Sequence, residues 1–331
     1  MVKFIRNSIF FLIPLVLLGS IPISTFYIMD PFKILHHQDE FTNSIVDYDV
    51  DYVNTERYLN LPDNYDSFIF GSSRSAYGFL ISDWKTHLPD SAKPFPYSAG
   101  NESIFGIVGK IKLIDELGGK MDNVLIVIDT ELTLQKLINS HGHLVIKHPR
   151  VSHESRSAFI SEYLKDYIFT GFFIRYLDYK IFGKKRAYMD GYLMLDNNEI
   201  GKKFIPFDAL KLEEQINADK NKYYKEKEEI FYERPKEEQV SKRLIYSSVT
   251  KLLTQIKEIF DKHNTKYKIV ISPMYTQVKM NSADLKILNK IFENNVYDYS
   301  GKNAITEDKY NFYESMHFRK DIGKQIMEEI Y

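Results

Sequence analysis

Apolar positions along the chain change their period several times, and each change predicts an element. The first block is the plainest. Ser8 to Ile28 is an uncharged run of roughly 20 residues, the length that crosses the hydrocarbon core of a bilayer. Lys3 and Arg6 precede it, and charge returns only at Asp30 and Lys33. With the two basic residues held inside, residues 1–30 read as an uncleaved single-pass membrane anchor. The N-terminus is then cytoplasmic, and the main domain lies outside the cytoplasm at the cell membrane. Pro14 and Pro22 weaken a straight helix, though membrane helices tolerate proline better than soluble ones. A cleaved signal peptide and a buried soluble helix are the competing readings. The length of the run and the lack of a clean small-x-small cleavage site favour the anchor.

From Pro31 to Pro62 the sequence is polar and mixed, and reads as a stalk (31–62) leading to a domain at 63–331. Ser67 to Phe70 is a short apolar strand ending at Gly71. A helix over Tyr77 to His87 and a strand near Phe95 to Ser98 follow. Ser103 to Leu117 carries Ile104, Ile107, Ile111 and Leu113 at helical spacing and closes on Gly118-Gly119. Asn123 to Asp129 is a continuously apolar strand, as expected of a parallel strand covered on both faces. The alternation then breaks from Ser140 to Pro235, an insertion rich in Tyr, Phe and Lys with a helix from Ala158 to Phe182. That helix reads as insertion core, with a lid over the site or a bilayer-resting face as the sharper alternative. Alternation resumes with a helix over Glu237 to His263, a strand over Tyr267 to Ser272 and a helix over Ser282 to Glu293. A strand at Val296 to Tyr299 and a helix from Phe318 to Ile330 complete it. The predicted fold is α/β, a three-layer, doubly wound, mainly parallel sheet with an N-terminal transmembrane helix and a helical insertion.

Composition narrows the function classes. A formal charge of −1 over 331 residues gives no basic field for nucleic acid. The absence of cysteine removes disulfides, a thiolate nucleophile and zinc–thiolate sites. His141, His143, His148 and His153 cluster in sequence but have no acid or Cys at ligand spacing, so they read as loop histidines and no metal is predicted. Asp49-Val-Asp51 lacks a calcium-loop continuation, and no phosphate loop is visible. No cofactor is predicted.

In a doubly wound sheet, sites form beyond the carboxyl ends of the strands. Gly71-Ser72-Ser73, Gly100-Asn101, Asp129-Thr130-Glu131 and the loop with Glu314 and His317 should therefore share one edge. A serine hydroxyl becomes a useful nucleophile when a base takes its proton, and an imidazole needs an acid to orient it. Ser73, His317 and Glu314 supply those roles. Gly-Ser-Ser can also be simple helix capping, and a Glu-x-x-His before a helix simple first-turn polarity. Finding both, after the first strand and before the last helix, favours catalysis.

With these motifs the chain resembles the SGNH/GDSL hydrolases from about Asp66 onward, apart from the insertion. That family sets its serine in a Gly-Asp-Ser turn after strand one, and its acid and His as Asp-x-x-His near the C-terminus. Here the turn is Gly71-Ser72-Ser73, and the C-terminal block is Glu314-Ser315-Met316-His317. The Ser-Ser-Arg variant with an anchor looks most like a divergent branch acting in cell-envelope polymer O-acetylation and teichoic acid D-alanylation. The resemblance implies an oxyanion hole from the Ser73 N–H with Gly100 or Asn101. The third position reads Asp129-Thr130-Glu131, without the family's Asn. It also implies a membrane-anchored serine acyl esterase or O-acyltransferase acting on a cell-envelope glycan or related polymer, with a membrane acyltransferase as partner. Arg74 suits either an anionic group of the substrate or a structural salt bridge. The alternative is a non-catalytic accessory subunit of the same fold that binds a polymer or an acyltransferase.

Overall fold

A computed structural model describes residues 1–36, 45–130, 132–135, 138–193 and 207–331. The chain divides into two compact units. The first comprises Met1–Tyr48, His141–Leu144 and Glu154–Gly201. The second comprises Asp49–Ser140, Val145–His153 and Lys202–Tyr331.

In the first unit the opening apolar run forms one helix, Val2–Met29, with Pro14 and Pro22 inside it. It is long and apolar enough to cross a membrane. It ends where Asp30 turns left-handed and its carboxylate accepts the N–H groups of Ile34, Leu35 and His36 at 2.9 to 3.0 Å. The single helix expected over 158–182 is two, Arg156–Phe169 and Phe172–Phe182, parted at Gly171 in a left-handed conformation. Their buried aromatics Tyr163, Tyr167 and Phe172 pack around Phe32, and Phe26 contacts Tyr167. Part of the expected insertion thus belongs to the same unit as the N-terminal helix.

The second unit is the α/β body. Its sheet has five strands, β1 (Ser67–Phe70), β2 (Pro94–Pro96), β3 (Asn123–Ile128), β4 (Lys266–Ile271) and β5 (Val296–Asp298). They lie in the order β2-β1-β3-β4-β5, every pair parallel. Every residue of β1 and β3 is buried, as the apolar runs at 68–70 and 124–128 required, and their polar first residues pair with each other, Asn123 Nδ2 donating to Ser67 Oγ at 3.0 Å. Phe68, Phe70, Val124, Ile126 and Ile271 pack on one face against the helices Ile104–Glu116, Ser247–His263 and Ser282–Phe292. Ile69, Leu125, Val127 and Val270 pack on the other against Trp84, Phe318 and the helix Lys320–Ile330. The result is the three-layer arrangement expected of alternating strands and helices.

Some boundaries differ from expectation. Residues 50–60, read as the end of a stalk, form the helix Val50–Asn60, whose Tyr58 is fully buried in the body's core. The helix expected from Glu237 begins only at Ser247. Before it, Gln239–Val240 pairs parallel with Val278–Lys279 in a two-stranded ladder. The helix expected over 77–87 is replaced by two short ones, Ser73–Gly78 and Ile81–Lys85. Glu131, in the third motif, lies outside the described residues, as do parts of the expected stalk and insertion.

One contact fixes how the last helix meets the turn after β1. A Cβ added at Gly323 would land inside the Gly78 carbonyl group, and one added at Gly78 would land inside the Phe318 ring. The helices Ser73–Gly78 and Lys320–Ile330 therefore meet backbone to backbone, which no larger residue allows. Gly323→Ala should force them apart and lower stability by about 1–3 kcal/mol, the usual cost of overpacking. Chemical denaturation followed by circular dichroism measures this, and an unchanged midpoint would contradict it.

Candidate active site

Ser73 owes its position to the tight turn after β1. Gly71 has φ +153°, and a Cβ there would lie 2.8 Å from the Val127 carbonyl oxygen. The chain can leave the strand this close to β3 only as glycine. Ser72 then caps the short helix, its hydroxyl accepting from the Arg74 N–H at 3.3 Å and its carbonyl from the Ser75 hydroxyl at 2.7 Å. Thus Ser72 carries the capping role and leaves the Ser73 hydroxyl free to turn outward.

His317 arrives on a small loop closed by a bridge between Phe312 and Phe318 and by the Tyr313 N–H donating to the His317 carbonyl at 2.9 Å. Its Nε2 is 2.8 Å from Ser73 Oγ. Its Nδ1 is hydrogen-bonded to Glu314 Oε1, and Glu314 Oε2 accepts the Met316 N–H at 2.7 Å. Burial alone would raise the Glu314 carboxyl, but the hydrogen bond and charge of His317 hold it below its usual value. The Tyr77 ring stacks on the imidazole at 4.2 Å and 16°. Serine, imidazole and carboxylate form one hydrogen-bonded line, with the ring clamped on its face.

The loop carrying Glu314 and His317 is itself braced from the helices Phe207–Ala218 and Lys220–Glu226. Glu213 accepts the Tyr313 hydroxyl at 2.8 Å and pairs with Arg319. The hydroxyls of Tyr223 and Tyr224 donate to the Tyr313 and Phe312 carbonyls at 2.7 and 2.8 Å. The later part of the expected insertion thus serves as the support of the histidine loop.

Arg74 is placed on the structural side of the two roles open to it. Only 3 % exposed, it pairs with Asp129 at 3.0 Å, while its Nε donates to the Met316 carbonyl at 3.1 Å. The guanidinium points inward and ties the serine turn to the end of β3 and to the histidine loop, so this placement gives no support to a substrate role. Asp129 also accepts the Thr133 hydroxyl at 2.8 Å and the Leu132 N–H at 2.6 Å. It stands where the resemblance expects an Asn donor, and it can only accept.

Gly100 and Asn101 come beside the serine turn because the Ala99 N–H donates to the Gly71 carbonyl at 3.1 Å. Asn101 is exposed and left-handed, with φ +47°. Beneath this loop lies a cluster that sequence reasoning missed. Lys110 is fully buried, 2.7 Å from Asp51 and 2.5 Å from Glu102, with Lys147 3.0 Å from Glu102. Lys110 also donates to the Tyr97 carbonyl at 3.3 Å, and Asn54 holds the Pro96 and Ser98 carbonyls at 3.2 and 3.0 Å. Burial works against ionisation of Asp51, but Lys110 and Lys147 overcome it and hold its carboxyl at about 2. Burial and the charge of Asp51 push its neighbour Asp49 well above the usual carboxylate range.

The histidines outside the site have local roles. His143 Nδ1 meets Asp166 at 2.8 Å, and His148 Nε2 meets Glu56 at 3.1 Å. Among the described residues no group of three or more His, Asp or Glu side chains is arranged to hold a metal ion.

Two substitutions test these supports. Arg74→Met leaves Asp129 buried without its cation and should cost about 3–5 kcal/mol, read from denaturant unfolding. Lys110→Met should cost up to a similar amount, about 3–5 kcal/mol, by leaving Asp51 and Glu102 to share the single buried cation Lys147. The contribution of Asp51 follows from its depressed value. It is present above the ordinary carboxylate value near 3.8 and lost as pH falls through about 2. Unfolding midpoints measured between pH 2 and pH 5 should therefore fall at the acid end by less in Lys110→Met than in the wild type. No family model matches this chain, and no curated protein matches it significantly.

Proposed function

We propose that this protein is an SGNH-like serine acyl esterase or O-acyltransferase. It is anchored by its N-terminal helix and works outside the cytoplasm on a cell-envelope glycan or related polymer. The observation that carries the reading is the continuous line from Ser73 Oγ to His317 Nε2 at 2.8 Å, and from His317 Nδ1 to Glu314. A serine held only for capping needs no imidazole on its hydroxyl, and here Ser72 already fills the cap.

The chemistry follows from that geometry. His317 Nε2 takes the proton of Ser73 as Oγ attacks an ester carbonyl, and the imidazolium that forms is oriented by Glu314. The oxyanion faces the Ser73 N–H and the Gly100/Asn101 loop, whose N–H groups and Asn101 amide donate to no other described residue. Collapse expels the alcohol, which takes the proton back from His317 and leaves an acyl ester on Ser73. Water or a sugar hydroxyl then attacks that ester and gives its proton to His317, which passes it to Ser73 Oγ as the acyl–oxygen bond breaks. Water makes the protein an esterase, and a sugar hydroxyl makes it a transferase. The apolar helix Val2–Met29 supports a membrane location, and an anchored site suits a surface polymer better than a free metabolite. A membrane acyltransferase is the partner that would supply acyl groups.

Asp129 favours a second reading, a non-catalytic subunit that binds a polymer or an acyltransferase. It places an acceptor, locked to Arg74, where a third oxyanion donor is expected. Fluorophosphonate labelling of the full-length protein in detergent separates the two. Wild type should label, while Ser73→Ala and His317→Ala should not. Glu314→Gln should slow labelling by roughly 1,000-fold or more, since the imidazole then loses its orienting acid. Absence of labelling in folded wild type would leave the binding reading.

A further inference from the structure

The helix Phe172–Phe182 carries apolar residues on two opposite faces, and the fold covers only one of them. Phe172 and Tyr176, one turn apart, are buried against Phe32 and Tyr167. Ile174 and Ile181 lie two turns apart on the other side, 56 % and 70 % exposed, with Leu177 half-buried between them. Phe182 at the end of this helix and Phe169 at the end of the one before it are 60 % and 83 % exposed. Apolar residues on both faces are expected of a helix that is covered on both.

Place and charge together say what covers the outer face. The helix pair is fastened to the final turns of the helix Val2–Met29, within the same compact unit. The Tyr167 hydroxyl is 3.2 Å from the Thr25 hydroxyl, and the Phe26 ring lies 5.5 Å from the ring of Tyr167. The apolar run stops at Asp30, so the pair is held where a membrane span would meet water. Tyr27, exposed on the same turn, is the residue type found at the level of lipid headgroups. Lys180, Lys184, Lys185 and Arg186 are exposed along the outer helix and just beyond it. The acids among them are already committed, Asp178 to Arg186 at 2.8 Å and Asp190 to Lys185 at 3.3 Å. Cations beside an apolar face match anionic headgroups above acyl chains, whereas a second copy of this face would bring like charges together.

We propose that the outer face of Phe172–Phe182 rests on an anionic lipid bilayer, the one that the helix Val2–Met29 enters. Ile174, Leu177 and Ile181 settle about 5–10 Å into the boundary between headgroups and acyl chains, and Lys180 and Lys184 reach up among the phosphates. The place of this contact rests on the reading of Val2–Met29 as a membrane span; it does not depend on the acyl-transfer chemistry. A lone span tilts in any direction, and a surface contact on one side of it selects one.

The chain has no cysteine, so a single introduced thiol carries a dye without background. Full-length Ile174→Cys, Ile181→Cys and Val16→Cys, all at exposed positions, are labelled with nitrobenzoxadiazole. Each is reconstituted in vesicles of phosphatidylcholine and phosphatidylglycerol that carry a nitroxide lipid, its spin label either near the headgroups or at the bilayer centre. Dyes at positions 174 and 181 should lose emission chiefly to the shallow nitroxide, and the dye at position 16 chiefly to the central one. Adding Lys180→Glu with Lys184→Glu should weaken quenching at 174 and 181 by about twofold or more and leave it unchanged at 16. Absence of quenching at 174 and 181, or quenching that the charge reversal leaves unchanged, overturns the proposal. Blue-shifted emission that neither nitroxide quenches means that protein covers the face, a second copy or another part of the chain, and overturns it too. The dye at 16 judges the span separately. Quenching there with none at 174 and 181 removes the surface contact and keeps the anchor, while the reverse keeps the contact and removes the span.

Discussion

The backbone contact between Gly78 and Gly323 is the constraint on which the rest of the site depends. Ser73 and His317 lie 244 positions apart, and a hydrogen bond between them demands that their supports be fixed to within a fraction of an ångström. Side-chain packing tolerates small shifts, because rotamers adjust. Two helices touching main chain to main chain have no such slack. Phe318 fills the Gly78 side of this contact directly after His317, so the residue that seals the helix pair is the neighbour of the base.

Around that contact the protein sets ionic and hydrogen-bonded braces rather than more apolar surface. Arg74 joins three segments through one guanidinium, and the Lys110 cluster fixes the loop of Gly100 and Asn101 from below. Buried charges of this kind add little net stability compared with apolar residues of the same volume, but breaking one partner is severe. Their value lies in direction. An ion pair with backbone hydrogen bonds holds a loop in one arrangement, where a greasy contact would accept several.

Much of this architecture was legible in the residues. Continuous apolar runs at 68–70 and 124–128 marked sandwiched parallel strands, and the Ser73, Glu314 and His317 motifs fell where alternating strands and helices put them on one edge. The supports were less visible, for physical reasons. Arg74 reads equally well as a surface or a buried residue, because an arginine's partner is set by tertiary contact. Lys110 left a faint signal, a single charge on the helix face shared by Ile107, Ile111 and Ile114, where a solvated lysine should not sit. Glu213 and Tyr223 lie in a segment whose pattern breaks the α/β alternation, and nothing local ties them to a loop about a hundred residues away. The late start of the helix at Ser247 was hidden by charged residues that suit a helix and a loop alike.

Trp84 is the only tryptophan among the 331 residues, and it is fully buried. Its indole N–H donates to the Tyr331 hydroxyl at 2.9 Å, across the gap between the helix Ile81–Lys85 and the end of the last helix. The molecule therefore carries a built-in optical probe of the joint between the helix Ile81–Lys85 and the end of the last helix. Emission excited at the red edge of the absorption band reports on that joint alone, with no label and no background from a second indole.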